Sequence, residues 1–155
     1  MIASKKDLMQ KMESHIDADR LAAAYAYNVQ VDSADIALRG LRDKNVNIQR
    51  AWAVRNDYPV TSEVMDLLVF SPYHKLREQA CKKNYHLSPE HLQHLLSDKH
   101  AEVVSSLLQR KDIEVPKKYL EEGLRSELRE LYEDYVHRMQ DQKLGDFHMD
   151  CMYEI

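Results

Sequence analysis

A chain of 155 residues with 44% hydrophobic and 31% charged side chains is long enough for one folded domain of globular composition. Only three glycines and four prolines interrupt it, and β-branched residues rarely alternate, which favours an all-helical fold and argues against a β-rich one. The net charge of −4 conceals an acidic segment, since residues 121–155 hold ten acidic and four basic side chains and the remainder is slightly basic.

The two cysteines, Cys81 and Cys151, form neither a disulfide framework nor a CxxC metal pair. We therefore expect a reducing, cytoplasmic location. The first residues lack the apolar stretch of an export signal, and no apolar run approaches the length of a membrane span, so we predict neither export nor membrane insertion.

The first predicted element is a cap helix over residues 4–16. Ser4 and Asp7 have the spacing of a capping box, and Leu8 and Met12 fall on one face of the helix. This pattern is typical of a helix that covers one end of a larger helical array.

Four similar segments follow, and they predict one helical unit used about four times. The segments are RLAAAYAYN (20–28), IQRAWAVRN (48–56), LREQACKKN (76–84) and VVSSLLQRK (103–111). Three of them end in asparagine, 28 residues apart, and three share an apolar helix face, formed by Ile48, Trp52 and Ala53, by Leu76, Ala80 and Cys81, and by Val103, Leu107 and Leu108. In the first copy the same positions hold Arg20, Ala24 and Tyr25.

A turn and a second helix follow each segment. Thr61 and Ser88 are predicted helix N-caps, Ser88 is followed by Pro89, and Asp32 with Asp35 resembles a capping box. A helical hairpin buries both its faces only by stacking on its neighbours. We therefore predict an all-α fold, a short α-solenoid of about four helical-hairpin repeats.

The predicted repeats have a period of about 28 residues, span residues 20–124 and lie between two cap helices. The C-terminal cap helix is predicted over 124–143, which gives a single domain over 1–143 and a tail over 144–155.

The stretch IQRAWAVRNDYPVTSEVMDLLVFSP resembles the leucine-rich repeat variant family and, more broadly, HEAT-like repeats. The residues that carry the resemblance are Ile48, Ala51, Ala53, Arg55, Asn56, Thr61, Glu63, Val64 and Leu68, with Leu76, Arg77, Ala80, Asn84, Ser88, Glu90 and Leu92 in the next copy. The resemblance implies a curved, right-handed stack of helices with a binding role. Members of that family can carry an iron–sulfur segment rich in cysteine, but this chain has no such segment, so no cofactor is expected.

A column of basic residues accompanies the asparagines, with tyrosines nearby. The candidate binding residues are Arg55, Lys82, Lys83, Arg110, Lys111, Tyr58 and Tyr85. Two interpretations stay open: the cations compensate helix dipoles at C-terminal ends, or they form a positive stripe that contacts phosphates while the tyrosines stack on bases.

The asparagines Asn28, Asn56 and Asn84 predict helix ends in the left-handed conformation, and a ladder that contacts a partner's backbone is the alternative. Trp52 is predicted to lie in the core. Five histidines fall within 27 residues, namely His74, His86, His91, His94 and His100. His91 and His94 have a spacing that fits a metal, but no third ligand completes a motif, so we expect solvated or packed histidines and no metal.

The chain carries no glycine-rich phosphate loop, GxSxG or HExxH motif, so no enzyme is predicted. We expect a non-enzymatic module that binds another protein, an inhibitor or adaptor of a bacterium or a bacterial virus. Nucleic-acid binding along the basic edge is the alternative. A third hypothesis, an enzyme acting on damaged bases, requires an acidic residue beside an aromatic cleft, which the sequence does not locate.

Overall fold

The computed structural model describes the backbone of residues 5–27 and 34–153 and the side chains of residues 8–27 and 35–142. Within these ranges the protein has ten helices and no strand, which confirms the predicted all-helical fold. No helix there is long and apolar enough to cross a membrane. In chain order the helices are α1 (Lys5–Glu13), α2 (Asp17–Ala26), α3 (Ala34–Leu41), α4 (Val46–Ala53), α5 (Ser62–Val69), α6 (His74–Lys82), α7 (Pro89–Leu96), α8 (Ala101–Leu108), α9 (Lys117–Leu124) and α10 (Arg129–Tyr153).

Two predicted N-caps are confirmed. The Thr61 hydroxyl accepts a hydrogen bond from the N–H three residues later at the start of α5, and the Ser88 hydroxyl does the same at the start of α7. Pro89 is the first residue of α7, where a missing N–H costs nothing. The capping boxes predicted to begin at Ser4 and Asp32 lie outside the described residues.

One tight turn recurs before each even-numbered helix. A short side chain there accepts a hydrogen bond from the backbone N–H two residues later, at 2.9 to 3.1 Å. The five residues that accept are Ser14, Asp43, Ser71, Asp98 and Ser126. Such turns fix the direction in which the chain enters the helix. The even-numbered helices begin 29, 28, 27 and 28 residues apart.

The helices pack in two rows. Each even-numbered helix from α2 to α8 contacts the next even-numbered helix, and α3, α5 and α7 contact one another in the same order. Helices consecutive in the chain, such as α3 with α4 and α5 with α6, join the two rows, and α1 packs against α2. Buried apolar side chains from both rows form one core.

Trp52 is fully buried, which confirms its predicted place in the core. Its ring meets that of Tyr27 edge to face, with centroids 5.3 Å apart. Gly40 in α3 lies so close that a Cβ at that position would come within 2.3 Å of the indole. Glycine at position 40 therefore makes room for the largest side chain of the core.

The first copy of the repeat is one residue out of the predicted register. Ala23 and Ala24 are buried, whereas Tyr25 is 76% exposed. Ala23 therefore corresponds to Trp52, because α2 begins 29 residues before α4. The prediction that placed Tyr25 in the buried stripe is wrong, since the alignment on asparagines missed one extra residue in the first hairpin.

The C-terminal helix extends beyond the range predicted for the cap helix. A turn follows the end of α9 at Leu124, and α10 then runs to Tyr153, into the predicted tail. The Tyr135 hydroxyl accepts a hydrogen bond from the Val115 N–H at 3.0 Å. This bond ties α10 to the segment before α9.

Candidate functional site

Arg55, a predicted binding residue, turns back onto the preceding hairpin. Its guanidinium donates hydrogen bonds to the carbonyls of Ala24 and Tyr27 at the C-terminus of α2. Asp57 binds the other edge of the guanidinium, so the pKa of Asp57 lies below its usual value and the pKa of Arg55 lies above its own. Arg55 therefore satisfies helix-end carbonyls that have no partner within the helix.

Lys83 makes a similar connection one hairpin later and is only 2% exposed. Its ammonium donates to the Arg55 carbonyl and, at 3.3 Å, to the side-chain oxygen of Asn56. It also lies 5.1 Å from the centre of the Tyr58 ring. Burial lowers the pKa of Lys83 to about 8, because a low-dielectric environment disfavours the charged amine.

Arg110 and Arg138 continue the pattern. The Arg110 guanidinium pairs with Asp112 and donates, at 2.7 to 3.0 Å, to the carbonyls of Cys81, Lys83 and Tyr85. Arg138 donates to the Leu108 carbonyl at 2.7 Å. We call the four cations that bind carbonyls of the preceding hairpin the carbonyl clamps: Arg55, Lys83, Arg110 and Arg138.

The other predicted binding residues divide between the interior and the surface. Tyr58 is buried, its hydroxyl has no hydrogen-bond partner among the described groups, and burial raises its pKa. Tyr85 is half-buried, whereas Lys82 and Lys111 are exposed. The structure therefore brings Lys83 and Tyr58 together inside the protein and leaves two lysines of the predicted column at the surface.

The asparagine column does not end helices in the left-handed conformation. No residue in the described ranges has a positive φ angle. Asn56 and Asn84 are exposed there, and Asn28 lies outside those ranges. The prediction is therefore wrong for Asn56 and Asn84, since the carbonyl clamps bind the backbone oxygens that a left-handed turn would pair.

Two buried ion pairs occur at the opposite ends of the even-numbered helices. Arg20 in α2 binds Asp43 in the turn before α4, with Nε and carboxylate oxygen 2.8 Å apart. Arg77 in α6 binds Asp98 in the turn before α8 at 2.5 Å. Each arginine also donates, at 2.9 Å, to the carbonyl six residues before it, at Ser14 and Ser71.

A cleft of about 410 Å³ opens beside Arg77, between the α5–α6 turn and the α7–α8 turn. Phe70 on its wall is 47% exposed, and Tyr73, in the same turn, is 46% exposed. The other exposed lining residues include His94, Lys99 and His100. We call this site the Arg77 cleft.

The Arg77 cleft is positively charged. Among the described residues that line it, the one carboxylate is Asp98, which is bound to Arg77 and to the His100 N–H. Burial alone would raise the pKa of Asp98, but these hydrogen bonds outweigh it and the pKa lies below its usual value. Asp98 therefore stays ionised and committed to Arg77, while the Lys99 ammonium faces no free acid among the lining residues.

Three of the clustered histidines lie around the Arg77 cleft. His74 and His100 stack with ring centroids 4.1 Å apart. His94 meets the Phe70 ring edge to face at 4.9 Å. These contacts add aromatic and N–H surface to the cleft.

His91 is buried and has a structural contact on each ring nitrogen. Its Nδ1 accepts the Ser88 N–H, and its Nε2 lies 2.6 Å from the Asp66 carboxylate. Because Nδ1 accepts, the proton of the neutral ring is on Nε2. In the described part of the chain no three side chains are arranged to hold a metal ion.

Sequence reasoning missed the Arg20 and Arg77 ion pairs, although a signal was present. The fourth residue of each helix from α2 to α8 and the turn residue before the next even-numbered helix change together. The pairs are Arg20 with Asp43, Gln49 with Ser71, Arg77 with Asp98, and Val104 with Ser126. Arginine is accompanied by aspartate, and an uncharged residue by serine.

Comparison of the chain with protein-family models, with curated protein sequences and with solved structures gives no match in any of the three.

Proposed function

We propose that the protein is a short α-solenoid of about four stacked helical hairpins, similar to HEAT-like and leucine-rich repeat variant proteins, with α1 and α10 as caps. Three observations support this: the turn that recurs every 27 to 29 residues, the two rows of helices, and the carbonyl clamps between successive hairpins. In such a stack each hairpin depends mainly on its neighbours, so bonds between hairpins set the stability of the whole.

We also propose that it is a non-enzymatic binding protein that acts as an inhibitor or adaptor by occupying a partner protein through the Arg77 cleft. The observation that carries this proposal is the exposure of Phe70 and Tyr73 in one turn beside the cleft. Large aromatic side chains with a cationic neighbour are typical of the residues that dominate binding energy at protein interfaces. The rigid stack presents them with little loss of entropy on binding.

Nucleic-acid binding along the predicted basic edge has less support. Three of the cations on which it depended, Arg55, Lys83 and Arg110, are engaged with backbone carbonyls. The two exposed lysines that remain, Lys82 and Lys111, make a weaker electrostatic surface for a phosphate backbone.

The test compares matched aromatic variants. A partner captured from the native host is identified by mass spectrometry, and its affinity is then measured for the wild type, for Phe70→Ala with Tyr73→Ala, and for Tyr25→Ala. The double variant should bind at least about tenfold more weakly, since truncating a hot-spot residue costs over 1 kcal/mol. Tyr25→Ala is the control, because Tyr25 is exposed at another place.

Equal binding by the wild type and the Phe70 and Tyr73 variant would contradict the proposal. Salt-sensitive retention on random DNA that is lost in Lys82→Ala with Lys111→Ala would favour the nucleic-acid alternative instead.

A further inference from the structure

Two arginines in equivalent positions have different acidic partners. Arg20 is the fourth residue of α2, and Arg77 is the fourth residue of α6. Each binds the aspartate of the next such turn and the carbonyl six residues earlier. Arg20 has a second carboxylate, that of Asp17, the first residue of its helix. The first residue of α6 is His74.

The difference leaves N–H groups of Arg77 unused. A guanidinium carries five N–H groups. Within the described part of the chain Arg77 makes three hydrogen bonds, two to Asp98 and one to the Ser71 carbonyl. Its side chain is 13% exposed and lines the cleft, so the remaining donors are within reach of a bound group.

A second donor around the missing carboxylate is also present. In the first hairpin the Asn45 side-chain amide donates to Asp17 at 2.9 Å. Asn45 directly precedes α4, and His100 directly precedes α8. An imidazole carries an N–H in either protonation state. The Arg77 cleft therefore has counterparts of both donors that hold Asp17 but no counterpart of the carboxylate.

We infer that the Arg77 cleft binds an aspartate or glutamate side chain of the partner protein, at the position that Asp17 occupies beside Arg20; this inference rests on the proposed function. Arg77 and His100 donate to the carboxylate, and Lys99 adds positive charge at the rim. Hydrogen bonds between charged groups are about twice as strong as neutral ones. The exposed Phe70 ring packs on the apolar residues beside the acid.

A carboxylate placed in the chain itself provides the sharpest test. His74→Asp puts an acid at the position equivalent to Asp17, and His74→Asn is the matched neutral control. The probes are an acetylated and amidated Leu-Asp-Leu tripeptide, its Leu-Asn-Leu counterpart, and acetate, each titrated against the protein and followed by backbone amide chemical shifts.

The His74→Asn variant should bind the aspartate peptide at least about tenfold more tightly than the asparagine peptide or acetate, and His74→Asp should lose that preference. Equal affinity of the two His74 variants for the aspartate peptide would overturn the inference. So would equal affinity for acetate and the aspartate peptide, since that indicates a general anion site.

Two further measurements keep the result interpretable. His74→Asp should melt no lower than His74→Asn, because an acid in the first turn of a helix is favourable. Lys99→Glu changes only an exposed residue and should also weaken binding of the aspartate peptide, whereas Lys111→Glu should not. If the Phe70 and Tyr73 variant loses the partner while His74→Asp retains it, the proposed function stands and the inference fails; if both retain it, both fail.

Discussion

The ammonium group of Lys83 donates a hydrogen bond to the backbone carbonyl of Arg55, 28 residues earlier in the chain. The bond joins two successive hairpins, the side chain coming from one and the main chain from the other. A cation at a helix C-terminus usually gains a few tenths of a kcal/mol from the helix dipole. Here the cation is buried and acts as a link between hairpins.

The burial of Lys83 predicts a pH-dependent stability. Its pKa in the folded protein is about 8, against 10.5 for a free lysine, so the unfolded chain binds more protons between these values. Wild-type stability should therefore rise relative to Lys83→Met as the pH increases from 8 to 10.5. Urea unfolding of both proteins at pH 7, 9 and 10 measures this difference.

Lys82→Met is the control for that experiment, because Lys82 is its neighbour in sequence and lies at the surface. A gap between the wild type and Lys83→Met that stays constant over the pH range would show that the Lys83 amine is solvated.

Arg110→Met should destabilise the protein by about 2 to 4 kcal/mol, because three carbonyls lose their donor and Asp112 loses its partner. Lys111→Met, at the next and exposed position, should change stability by less than about 0.5 kcal/mol. Chemical denaturation gives both values. Similar small effects for the two variants would mean that water replaces the guanidinium at no cost.

The Gly40 and Trp52 contact predicts a reversal of sign. Gly40→Ala should cost about 1 to 3 kcal/mol in the wild type, because the new methyl group meets the indole ring. Trp52→Ala alone should cost roughly 3 to 5 kcal/mol. In the Trp52→Ala background Gly40→Ala should instead stabilise α3 by up to about 1 kcal/mol, since alanine favours helix. The same effect of Gly40→Ala in both backgrounds would show that the two residues do not touch.

Cys81 should be inert in the folded protein. Burial raises the pKa of its thiol to about 12, so little reactive thiolate exists near pH 8. In a Cys151→Ser background a thiol-reactive dye should label Cys81 only as fast as the protein unfolds, and at once in urea. Rapid labelling without denaturant would contradict its buried position.

The sequence was sufficient to predict the helices, because helix-forming residues and caps such as Thr61 and Ser88 are local signals. It also predicted the burial of Trp52, which shares a column with Ala80 and Leu107. The first hairpin was misaligned by one residue because asparagine, an exposed helix-end residue, was taken as the marker. The buried alanines of α2 were the better guide.

The basic column was visible in the sequence, but the direction of its side chains was not. Arg55 and Arg110 reach carbonyls of the preceding hairpin, a tertiary arrangement that spacing alone does not predict. The Arg77 cleft was missed for the opposite reason, since its residues come from two turns far apart in the chain. Only the paired changes of arginine with aspartate hinted at it.

The central claim divides the arginines into those that hold hairpins together and one that has donors free for a partner. A ¹⁵N–¹H spectrum of the arginine side chains, recorded during titration with the capped Leu-Asp-Leu peptide, tests it most directly. The account predicts that the Arg77 signal moves while those of Arg55 and Arg110 stay fixed and exchange slowly with water. Movement of the Arg55 and Arg110 signals with Arg77 unchanged would contradict it.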